Sequence, residues 1–85
     1  MDKFSIVKTV IDNADPCGLL ECHAPVDEYD YESAEIAESI SAGNSAEEIA
    51  AICAGVFSRA FANDIPADKF LGIAEEIRRD LVQLP

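Results

Sequence analysis

The reactive side chains of this sequence are three thiols and one imidazole: Cys17, Cys22 and His23 close together, and Cys53 far from them. With Asp15, Glu21 and Asp27 nearby, the first group has the residue types of a divalent-metal site. Structural zinc, however, takes two cysteines about two to four residues apart and a second, distant pair, and no second pair is present. The expectation is a pair of small buried thiols beside a surface histidine, with no metal and no other cofactor. Nucleophilic catalysis needs Cys or Ser oriented by His and a third group. The one histidine precedes Ala24-Pro25 in a loop, and its neighbour Cys22 would not face it on a helix. Carboxylates are plentiful, but no two are marked by opposed environments for acid–base work. Gly18 and Gly43 stand singly, as turn or cap glycines rather than parts of a phosphate-cradling loop. The chain reads as a non-enzyme.

Charge and aromatic placement are what remain. Asp27-Glu28-Tyr29-Asp30-Tyr31-Glu32 interleaves four acids with both tyrosines of the chain, and Glu35 follows. Tyrosine supplies contact area at low entropic cost, and surrounding carboxylates attract a basic surface from a distance. These seven residues are the candidate partner-binding set. The competing reading is that Tyr29 packs on the core and Asp30 only caps a helix. Net charge is −11. No Lys or Arg occurs between Lys8 and Arg59, a stretch that holds Asp12, Asp15, Glu21, Asp27, Glu28, Asp30, Glu32, Glu35, Glu38, Glu47 and Glu48, whereas acids and bases cancel outside it. Direct binding to nucleic acid or to an anionic membrane needs a basic footprint, so a basic protein is the expected partner. The alternative is that the acidity serves solubility alone.

The elements that must carry these residues read as helices throughout. Phe4, Val7 and Ile11, with Ile6 and Val10, give a first helix that stops near Asn13-Ala14. Asp15-Pro16 reads as the N-cap and first position of a short second helix through Leu19 and Leu20, ended by Pro25. Asp30 is expected to cap a third helix running to about Ala42, with Ile36, Ala37 and Ile40 inward and Gly43 closing it. Ser45-Ala46-Glu47-Glu48 has capping-box spacing. It opens a fourth helix with the stripe Ile49, Ile52, Cys53, Val56, Phe57, Ala60 and Phe61, the expected central helix, in which Gly55 suggests a close helix approach. Asn63-Asp64-Ile65-Pro66 is a stop and restart before a fifth helix carrying Phe70, Ala74, Ile77 and Leu81. The 85 residues therefore predict one all-α domain, a compact orthogonal or up-down array of about five helices, one of them short. With no stretch of roughly 18 apolar residues, and no basic and apolar leader after Met1, the expected location is the cytoplasm, with reduced thiols.

Asp15-Pro16-Cys17-Gly18-Leu19-Leu20, Ala24-Pro25-Val26-Asp27-Glu28-Tyr29-Asp30 and Glu35-Ile36 resemble the pattern Asp-Pro-x-Gly-Leu-Leu, Ala-Pro-x-Asp-Glu-Tyr-Asp, Glu-Ile of the YugE-like family, small bacterial domains of unknown function. The sequence departs from it at Tyr31, where proline or another good first-turn residue is common. Cys17, Cys22 and His23 are not part of the pattern. The resemblance implies an all-helical fold and a bacterial cytoplasmic source, and it carries no activity, cofactor or catalytic residues. The leading functional reading is a binding module for a basic protein, most concretely an immunity-type inhibitor of a nuclease-like toxin, by analogy of charge and size. The second is a housekeeping adaptor or homodimer that pairs two copies through an exposed apolar stripe.

Overall fold

The computed structural model describes residues 2–16 and 29–83. The expected short helix through Leu19 and Leu20 lies outside them, as do Cys17, Cys22, His23, Asp27 and Glu28. Helix α1, Lys3–Ala14, opens on Asp2, whose carboxylate accepts the Ser5 amide at 2.8 Å, and it buries Ile6, Val7, Val10 and Ile11. It closes on Asp15, which adopts a left-handed conformation (φ 46°, ψ 59°) and donates its N–H to the Ile11 carbonyl at 2.8 Å. Asp15 thus ends α1, and does not have the extended backbone expected of a cap on the next helix. Aspartate is among the few residues that accept this conformation at small cost.

Helix α2, Asp30–Ser39, turns Ser33, Ile36 and Ala37 inward. Asp30 is its first residue rather than its cap, because its carboxylate is taken by Lys8; the capping residue is Tyr29, whose side chain makes no capping bond to the helix. The helix also stops short of Ala42 and Gly43. At Ile40 the backbone is extended (φ −113°, ψ 160°) and the side chain is buried in the core. Lys3 Nζ donates to the freed Ile40 carbonyl at 2.7 Å, a cation at the negative end of a helix. Asn44 then closes the turn, accepting the Ser41 amide on Oδ1 at 2.8 Å while donating its own amide to the Ser41 carbonyl.

Helix α3, Ala46–Ala60, begins with the expected capping box: Glu48 N–H to Ser45 Oγ at 3.1 Å, and Ser45 N–H to Glu48 Oε1 at 2.8 Å. Its buried stripe is Ile49, Ala50, Cys53, Ala54, Val56 and Phe57. Among the described residues no helix lies against Gly55. A β-carbon built there would meet only the Arg59 guanidinium among them, at 3.6 Å, so they do not supply the expected close approach. The helix ends with Ala62 at φ 50° and an Asn63 N–H to Ser58 carbonyl bond of 3.1 Å, the wrapped-around bond of a Schellman ending. Ser58 Oγ accepts the Ile65 amide at 3.0 Å and ties the connection down. After Pro66 a 3-10 turn, Ala67–Phe70, leads into α4, Leu71–Val82, which buries Ala74, Ile77 and Leu81.

No strand occurs among the described residues, and the all-α expectation holds. The four helices form a ring: α1 packs on α2 and α4, and α3 packs on α2, α4 and the 3-10 turn. Helix α3 is therefore one corner of the ring and not surrounded by the others. It is central in another sense. The Phe57 ring lies 5.7 Å from Tyr29, edge to face, 5.8 Å from Phe61 and 5.3 Å from Phe70, and so joins three aromatic rings of the core.

Candidate protein-docking face

Residues i and i+2 of a helix lie about 200° apart, so two tyrosines at that spacing cannot both face the core. Tyr29 is fully buried, and its hydroxyl donates to Asp15 Oδ1 at 2.6 Å. This corrects its place in the partner-binding set: the ring packs on Phe57 and the phenol closes α1 against α2, so no part of it is available to a partner. Tyr31 is the opposite case, with 88% of its surface exposed.

The acids around them are also divided. Asp30 bonds to Lys8 Nζ at 2.7 Å, and the same ammonium reaches Asp12 at 2.9 Å. Asp30 first and Asp12 second raise the Lys8 pKa above its ordinary value, because each favours the charged form. Glu35 is paired with Arg59 on α3. Glu32 is half-buried, whereas Glu38 is exposed. Tyr31, Glu35 and Glu38 follow the i, i+4, i+7 spacing and form one outward face of α2. Asp27 and Glu28 lie outside the described residues.

The bases flanking the base-free stretch therefore fold back onto it. Lys8–Asp12 was legible as an i, i+4 pair. Lys8–Asp30 and Arg59–Glu35 join residues 22 and 24 positions apart, and no local pattern marks such pairs. The structure adds one further charged feature, an open cleft of about 390 Å³ between the start of α3 and α4, lined by Ser45, Ala46, Glu47, Glu75 and Arg78. Arg78 spends one donor on the Asn44 carbonyl at 3.2 Å.

Little in the described residues suits bond-making chemistry. Cys53 is buried, and burial pushes its thiol up to about 12, far from thiolate formation at neutral pH. Among the described residues no three His, Cys, Asp or Glu side chains are grouped to hold a metal ion. Nor is any helix among them long and apolar enough to cross a membrane. Compared with protein-family models, curated proteins and solved structures, the chain finds no match.

Proposed function

We propose that this chain is a non-enzymatic binding module that docks a basic protein on the outward face of α2. The observation that carries this reading is Tyr31, a large aromatic side chain held almost wholly in water on a helix whose same face presents Glu35 and Glu38. Leaving an aromatic ring exposed forgoes the stabilisation that burial would provide, and exposed tyrosines among charges are the usual anchors of protein interfaces. Carboxylates around the anchor set the approach of a cationic partner, and the pairing of Glu35 with Arg59 holds one of them in place. The most concrete form is an immunity-type inhibitor covering the cationic cleft of a nuclease-like toxin in the cytoplasm. The motif resemblance to the YugE-like family agrees with a bacterial setting for that role.

The test is capture of the partner from the source cell at low salt, followed by binding kinetics. Association should slow steeply as salt rises, since screening cuts the range of attraction to about 8 Å at physiological ionic strength. Glu38→Gln should lower the on-rate and Tyr31→Ala should raise the off-rate, both with unchanged helicity. Asp64→Asn and Glu76→Gln, away from α2, are the controls. If they slow association as much as Glu38→Gln does, the face of α2 is not the docking surface.

A further inference from the structure

Helix α4 presents a second outward face. Among the described residues three large hydrophobic side chains are exposed, Tyr31, Leu71 and Val82, and the last two stand at opposite ends of α4, 37% and 52% exposed. Positions 71 and 82 are three helical turns apart to within about 20°, so both lie on one face, about 16 Å apart along the axis. Glu75 and Arg78, at i+4 and i+7 from Leu71, complete the stripe and are exposed as well. Its middle is uncovered, since Glu75 and Arg78 line the open cleft of about 390 Å³ beside the start of α3. Neither forms an ion pair with a described residue, although Glu76 and Arg79, at the same spacing, approach each other at 3.9 Å.

The order along the stripe is apolar, acidic, basic, apolar, which is complementary to its own reverse. When a second copy is laid antiparallel across a twofold axis at mid-stripe, Leu71 meets Val82 of the other copy and Glu75 meets Arg78, and each contact occurs twice. The parallel arrangement sets Glu75 against Glu75 and Arg78 against Arg78, so the charges select the antiparallel one. A purely apolar occupant would desolvate Glu75 and Arg78 without partners, and a uniformly basic one would oppose Arg78 with like charge. Repulsion between copies is also small here. Residues 71–82 hold Glu75, Glu76 and Asp80 against Arg78 and Arg79, a net −1 of the chain's −11. We propose that the chain forms a weak homodimer in which α4 pairs antiparallel with α4 of a second copy, Leu71 on Val82 and Glu75 on Arg78. The proposal stands on α4 and is independent of the face of α2.

The experiment is sedimentation equilibrium of the full chain up to about 1 mM. The expected result is a reversible monomer–dimer equilibrium with a dissociation constant on the order of 0.1 mM, as suits an interface of one helix pair. Dimerisation should tighten as salt rises, because screening relieves the repulsion between two acidic copies, the reverse of the dependence expected for the α2 face. Glu75→Arg should weaken the dimer about tenfold although it lowers the net charge, since it sets like charges across the seam. Arg78→Glu should do the same. An equimolar mixture of the two variants should associate again, and the chain carrying both changes should recover self-association. Circular dichroism checks the helicity of each variant. Amide shifts of the unsubstituted chain on dilution, expected at Leu71, Glu75, Arg78 and Val82, test the surface without any substitution. A chain that stays monomeric at the highest concentration overturns the proposal and leaves the stripe to solvent or to another protein. A dimer that Glu75→Arg leaves unchanged or tightens, or dilution shifts confined to other helices, overturns it as well. Failure of the doubly changed chain to self-associate overturns the antiparallel register. Tyr31→Ala should leave the dimer unchanged, so the α4 and α2 faces are judged separately.

Discussion

Ser33 shows how a single buried atom can work against the fold. Its side chain is fully buried in α2, and Oγ finds no hydrogen-bond partner among the described residues. A buried hydroxyl without a partner carries a desolvation penalty of roughly 1–3 kcal/mol, and alanine also has the better helix propensity. Ser33→Ala is therefore expected to stabilise the protein by about 1 kcal/mol, read as a higher urea midpoint at unchanged slope. The tyrosines make a related point about reading residues. Their composition and acidic surroundings marked both as candidates for contact. Only the placement of α2, which starts at Asp30 and so one residue earlier than a cap at Asp30 would put it, separates the buried ring from the exposed one. Tyr31 was recoverable from sequence once that placement was known. The bond from Tyr29 to Asp15 was not, because it depends on the left-handed backbone that ends α1.

The elements that were legible are those whose signals are local. The start of α3 follows from Ser45 and Glu48 within one turn, and the break before α4 follows from Pro66. The ends of α2 were misread because distant residues set them: Lys8 takes the Asp30 carboxylate, and burial of Ile40 draws the chain out of the helix before Gly43. Two positions, one inside α3 and one just past its end, keep residues that the local geometry does not favour. Gly55 sits in the helix interior with room for a β-carbon, so Gly55→Ala is expected to stabilise by about 1 kcal/mol. Ala62 holds a positive φ that costs an ordinary residue roughly 1–2 kcal/mol, and Ala62→Gly should recover about 1 kcal/mol of it. The two sites are seven residues apart, and their effects should add in thermal unfolding. A loss of stability in either variant would mean that the backbone at that position differs from the one described.

At the scale of the whole molecule, the linear segregation of charge is softened by folding. Lys8 reaches into the acidic stretch from one side and Arg59 from the other. The raised pKa of Lys8 has a signed consequence. Its folded value lies above the unfolded value near 10.5, so its contribution is fully present below about pH 10.5 and is lost as pH rises through the folded value. The stability difference between the parent protein and Lys8→Met should be constant from pH 7 to 10 and shrink above it. A difference that grew with alkalinity would reverse the assignment. The carboxylates of Asp2 and Glu48 act in the opposite window. Both are lowered, Asp2 by the Ser5 backbone amide and Glu48 first by the Ser45 amide, so their contributions are present at neutral pH and lost on acidification.

The ring of helices also bears on how fast the chain reaches it. Three of its four seams, α1 with α2, α2 with α3 and α3 with α4, join helices that are consecutive among the described residues. Only the seam between α1 and α4 must wait for the two ends to meet. Helical proteins with mostly local pairings fold in microseconds to milliseconds, and closing the last seam adds a loop-entropy cost that grows slowly with chain length. Relaxation after a temperature jump should therefore be complete within milliseconds. Truncating Ile77, one of the buried residues that α4 brings to the core, should speed unfolding far more than it slows folding.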